Sequence, residues 1–99
     1  MIEVETKGPG LLRIAGEATV HEVEQLHRLV TEAATSGQAI GTLDLSGLTD
    51  LDTAGAQVLL ALRRAAPGMV AQGCPTGIRE RLERMGLAAR LLGAQRSAA

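Results

Sequence analysis

The 99-residue chain contains no phenylalanine, tryptophan or tyrosine. A core without rings has to be filled by Leu, Val, Ile, Ala and Met, and the 45% hydrophobic content supplies enough of them. The same absence removes two classes of binding site. Single-stranded nucleic acid stacks its bases on aromatic faces, and quaternary ammonium ligands sit in aromatic cages. Cysteine is nearly missing too: Cys74 stands alone, which excludes an internal disulfide and any call for an oxidising compartment. An excess of charge of one sign is lacking. Ten Lys and Arg against 11 Asp and Glu give a formal net charge of −1, which is not the basic footprint of a nucleic-acid binder. Long apolar runs are lacking as well. The opening MIEVETKGPG has no apolar core of signal-peptide length. The run Val58–Leu62 stops at Arg63-Arg64, far short of the ~20 residues that span a bilayer. The expectation is one cytoplasmic domain over residues 1–99, with no membrane insertion and no direct contact with nucleic acid.

What is present has clear periodicity. Ile2–Thr6 alternates apolar and polar residues as a half-buried strand does. Lys7-Gly8-Pro9-Gly10 is a turn, and Leu11–Ala15 reads as the returning strand of a hairpin. Thr19 followed by Glu22 fits a capping box at a helix start, and Val23, Leu26, Val30 and Ala33 then recur on one helical face. Ser36-Gly37 ends that helix. Ile40–Leu45 is a short strand, followed by a loop and a second helix from Asp52 to about Ala66, stopped by Pro67-Gly68. Met69–Ala71 is a further strand. Pro75 opens a third helix with Ile78, Leu82 and Met85 inward, closed by Gly86, and Leu87–Leu92 is a last short apolar element. Strands that feed helices and helices that return to strands imply an α/β sandwich with right-handed crossovers.

The segment Leu43–Ala56, LDLSGLTDLDTAGA, carries the most chemistry. Asp52 is a strong N-cap candidate whose charge also suits the positive end of the helix dipole. Thr53 follows at the first helical position, and Ala54, Gly55 and Ala56 leave the helix end almost bare of side chains. A glycine inside a helix costs about 1 kcal/mol relative to alanine, so Gly55 points to close packing or to close approach by another molecule. A phosphate on Thr53 would add about −1.5 to −2 charges beside Asp50 and Asp52.

The run LDLSGLTDLDTAGAQVLLALRRA resembles the signature of STAS domains, in which Asp-Ser/Thr-x-Gly opens a Leu-rich helix after a strand ending in Asp-Leu-Ser. LLRIAGEAT and CPTGIRERLERMGLAARL are similar to further stretches of that family, so the resemblance covers nearly the whole chain. It implies a STAS-like α/β fold of about four to five strands in a mixed sheet, with helices mainly on one face. It also implies regulation by protein contact rather than catalysis, without a cofactor or metal. In the anti-sigma factor antagonists of the family the motif hydroxyl is phosphorylated by an anti-sigma factor that is itself a serine/threonine kinase. Carried over, the acceptor is Thr53, and the partner-binding residues are Asp50, Asp52, Thr53, Ala54, Gly55 and Ala56. The departures, Thr53 for Ser, Ala54 at the next hydroxyl position and Ala56-Gln57 for Leu-Gly, resemble instead the STAS subunit that docks on the ATPase of a phospholipid-transport ABC transporter.

Other constellations have plainer readings. Asp44, Asp50 and Asp52 suggest an aspartyl-phosphate phosphotransfer site, but the only lysine is Lys7, in the first turn. His21 and His27, read as solvated and partly packed, form no compact zinc spacing with Cys74. Cys74 reads as a small filler, and Arg63, Arg64, Arg79, Arg81 and Arg84 as dipole-complementing or solvated charges.

Overall fold

The alternation at the start of the chain forms strand β1, Ile2–Thr6, which turns back as β2, Leu11–Ala18, in an antiparallel pair. A computed structural model describes residues 1–37 and 39–93. Within it β3, Thr42–Leu51, lies parallel to β2, and β4, Val70–Gln72, lies parallel to β3. The sheet order is β1-β2-β3-β4. Between the strands run the helices α1, Val23–Ala34, and α2, Thr53–Ala65, and after β4 come α3, Thr76–Arg84, and the short α4, Ala88–Leu92.

One sheet face is apolar and the other is not. Ile2, Leu12, Ile14, Leu43 and Leu45 point into the core with Leu26 and Val30 of α1, Leu59 and Leu62 of α2, and Leu82 of α3. On the opposite face Arg13 lies level with Glu5 on one side and Asp44 on the other, at 3.8 and 3.9 Å. A charged cross-strand row of this kind belongs on a face left to water. The mixed sheet with helices packed on its apolar face is the α/β arrangement expected from the element order.

Three local expectations need correction. The strand predicted at 40–45 starts later, and the loop predicted after it does not exist: β3 continues to Leu51. The register against β2 shows why. Asp44 to Gly47 spans three steps against two from Arg13 to Ala15, and Leu48 to Asp50 spans two against one from Gly16 to Glu17. Two extra residues are absorbed as bulges, so Leu43, Leu45, Leu48 and Leu51 all remain buried although their spacing is no longer two. Gly47 permits the first bulge, since a Cβ there would lie 2.7 Å from the Ala15 Cβ and the Arg13 guanidinium. The capping box also fails. Thr19 is buried ahead of the helix, and the Glu22 carboxylate accepts the N–H of Ile2 at 3.0 Å, tying β1 to the start of α1. Finally, His27 is exposed, not partly packed. The predicted apolar stripes hold elsewhere, and no described helix is long and apolar enough to cross a membrane.

Candidate functional site

A single residue joins β3 to α2. Asp52 leaves the strand in an extended conformation (φ −125°, ψ −174°) and caps the helix as expected, its Oδ1 accepting the Gly55 N–H at 3.1 Å. Its other oxygen, Oδ2, accepts the N–H of Val20 at 2.8 Å, and its own N–H donates to the Ala18 carbonyl at 3.1 Å. The residue thus fastens the end of β2, the connection into α1 and the first turn of α2 at one point. Burial pushes the Asp52 carboxyl upward in pKa, but the N–H groups of Val20, Gly55 and Ala54 together outweigh it and hold the carboxyl below its ordinary value.

Gly55 is explained by the same junction. An added Cβ would stand 1.9 Å from the Ala18 carbonyl oxygen and 2.9 Å from the Ala18 Cβ. The close approach is made by β2 of this chain, and Gly55 and Ala56 are both buried. Of the motif residues, Thr53 is exposed, and Asp50, Asp52 and Ala54 are partly exposed. The surface at this end of the molecule is therefore Asp50, Asp52, Thr53 and Ala54, set on a base formed by Gly55 and Ala56.

Arg81 belongs to this end of the molecule and is more than the solvated or dipole-complementing charge expected from its sequence position. From α3 its guanidinium donates to the Asp50 carboxylate and, at 2.7 Å, to the Leu51 carbonyl. That contact, with the Leu51 N–H, holds the Asp50 carboxyl below its ordinary range. A cleft of about 360 Å³ lies alongside, lined by Glu17, Thr19, Val20, His21, Asp50, Leu51, Asp52 and Arg81. No sequence signal pairs residues 31 positions apart, so Arg81 could not have been assigned from the motif.

The acidic residues do not converge on one chemical centre. Asp44 is held low in pKa by the Ser46 N–H at 2.9 Å and faces Arg13, while Asp50 and Asp52 have the separate partners given above. Among the described residues no group of three His, Cys, Asp or Glu side chains is placed to hold a metal ion. Cys74 packs against the core, and burial raises its thiol pKa.

The four-stranded mixed sheet with helices packed on its apolar face is the fold of the protein SpoIIAA. Two solved structures show that fold. The unphosphorylated form of the anti-sigma factor antagonist SpoIIAA superposes with a TM-score of 0.61 at 20% identity, covering 84% of this chain and 82% of that one. The Bacillus cell fate determinant SpoIIAA in its phosphorylated form gives 0.63 at 19% identity, covering 98% and 94%. No curated relative matches the chain. The family model described as "Mlab, STAS domain" matches residues 3–93, and the chain belongs to the STAS domain family.

Proposed function

We propose that this STAS domain is a non-catalytic regulatory module that docks a protein partner through Asp50, Asp52, Thr53 and Ala54, with Thr53 as the residue whose modification breaks the contact. The observation that supports this reading most is the exposure of Thr53 on a joint whose neighbours are all engaged in bonds within the domain. Because the joint on which it stands is bonded within the domain, the Thr53 side chain offers a partner a small, uncharged group at a fixed backbone position. Phosphorylation would replace it with a dianion next to Asp50 and Asp52. In the anti-sigma-antagonist version the partner is an anti-sigma factor with serine/threonine kinase activity, and the setting is a cytoplasmic signalling pathway that controls transcription.

The match to the family described as Mlab favours a second reading, a constitutive STAS subunit on the ATPase of a phospholipid-transport ABC transporter. The two readings separate in one capture experiment from native lysate. Wild type, Thr53→Ala and Thr53→Asp serve as baits, each checked for folding by circular dichroism. The switch reading expects Thr53→Ala to retain the partner and Thr53→Asp to lose it about tenfold, the cost of one partly desolvated charge. It also expects the captured kinase to label Thr53. Undiminished capture by folded Thr53→Asp would remove the switch. The ATPase reading expects stable co-purification with an ATPase, no labelling, and loss of ATPase activity with Ala54→Trp. Ala54 is the proper test position there, because a bulky residue at Gly55 would disrupt the domain itself.

A further inference from the structure

At the far end of α2, about 15 Å from Thr53 at 1.5 Å per residue, three arginines line one concavity. Arg63 and Arg64 come from the last turn of α2 and Arg90 from α4, and together with Leu60 and Pro67 they enclose about 310 Å³. We propose that this concavity is a binding site for a phosphate group, separate from the docking surface at Thr53.

Arg63 supplies the fixed part of the site. Its Nη1 donates to the Met69 carbonyl at 3.0 Å and the Leu91 carbonyl at 3.2 Å, which locks the half-buried guanidinium between α2, the entry to β4 and α4. Gly93 borders it closely and carries nothing that would cover it: a Cβ there would stand 3.2 Å from Arg63 Nη2. A planar guanidinium held in advance loses little freedom when it binds an oxyanion. Arg64 and Arg90 are exposed and can close on the ligand from either side.

Among the described residues the charge at this end is not balanced internally. Among the described residues no carboxylate lies within ion-pair distance of Arg63, Arg64 or Arg90, whereas Arg13 and Arg81 both have acidic partners. Complementing the helix dipole does not account for three cations, since the C-terminal end of a helix is equivalent to about half a negative charge. The imbalance extends along the chain. Nine of the 11 carboxylates precede Thr53, and seven of the ten cationic side chains follow it. Arginine forks match the tetrahedral oxygens of phosphate in geometry and charge, which makes a phosphate group, either free and in soluble esters or in a phospholipid headgroup, the ligand this site fits.

The test uses the intact domain, labelled with ¹⁵N, in two arms at constant ionic strength. One arm titrates inorganic phosphate and follows the Arg Nε–Hε and backbone resonances. The other measures co-sedimentation with phosphatidylcholine vesicles with and without phosphatidylglycerol. At least one arm is expected to saturate, with the resonances of Arg63, Arg64 and Arg90 moving together in the phosphate arm. Arg64→Gln/Arg90→Gln should weaken binding about tenfold or more, as loss of charged hydrogen bonds implies. Arg79→Gln/Arg84→Gln, which removes the same charge from α3, should change it less than about twofold. Saturation by phosphate alone identifies a soluble ligand; binding to anionic vesicles alone identifies a headgroup. If neither arm saturates, or both double variants lose binding equally, there is no such site. Partner capture through Thr53 should survive the Arg64→Gln/Arg90→Gln change, so failure here leaves the docking proposal standing.

Discussion

Gly55→Ala is expected to lower the Tm of this domain by more than about 10 °C. By helix propensity alone the substitution should help, since alanine is favoured over glycine inside a helix by about 1 kcal/mol. The added methyl, however, would sit 1.9 Å from the Ala18 carbonyl oxygen, and both sides of that contact are backbone with no flexible end to move aside. Relief requires α2 to lift from β2, and that motion also strains the Asp52 bonds to Ala18 and Val20. Overpacking of this kind costs about 3 kcal/mol at the upper end of its usual range, and in a domain of this size each kcal/mol moves Tm by roughly 4–8 °C. The two effects differ in sign, so thermal unfolding followed by circular dichroism decides between them. An unchanged or raised Tm would show that α2 and β2 do not meet this closely. Ala54→Ser, one position earlier and partly exposed, is the control and should stay within a few degrees.

Asp52→Asn should destabilise the domain by about 2 kcal/mol near neutral pH, and its effect should fade in acid. The carboxylate offers an acceptor to Val20 N–H and another to Gly55 N–H. An amide offers one acceptor and one donor, so either the exposed Val20 N–H or the part-buried Gly55 N–H is left facing another donor, at a cost of about 1–3 kcal/mol. The pH dependence follows from the direction of the pKa shift. Because the folded Asp52 carboxyl lies below its ordinary value, its contribution is complete above about pH 4 and is lost as the pH falls through the folded value. Asp44, held low by Ser46, and Asp50, held low by Arg81, act in the same direction and steepen the acid limb of the wild type. Urea unfolding at a series of pH values should show wild type and Asp52→Asn converging as the pH falls below the ordinary carboxylate range. A constant gap across the range would mean that the stabilisation does not depend on the ionised carboxylate.

The legible parts of this fold are those in which local pattern and tertiary packing ask for the same thing. The stripe of Val23, Leu26 and Val30 and the cap at Asp52 could be read because helical period and N-cap chemistry act over four or five residues. Residues 46–50 read as a loop in sequence because the two bulges in β3 break the alternation by which strands are recognised. The Thr19–Glu22 pair departs from the capping box for a different reason: the Glu22 carboxylate has a competing donor in Ile2, far away in sequence. At the candidate site, Thr53 and its neighbours were named by the motif, and the motif also left open whether Gly55 served packing or a partner. Only the position of Ala18 answers that question. Arg81 lay outside any local signal because it reaches the joint from another helix.

The one-residue joint between β3 and α2 has a consequence for how this end of the molecule opens. A surface carried on a loop can fray while the rest of the fold stays intact, but here the amides of Val20, Asp52 and Gly55 are bonded across β2, β3 and α2 at once. Their exchange with deuterated solvent should therefore require opening on the scale of the whole domain, and their protection should track global unfolding as denaturant is added. A partner that docks as proposed would then meet Thr53 in a slowly exchanging region of the protein, and that partner, or a modifying enzyme, would have to conform to it.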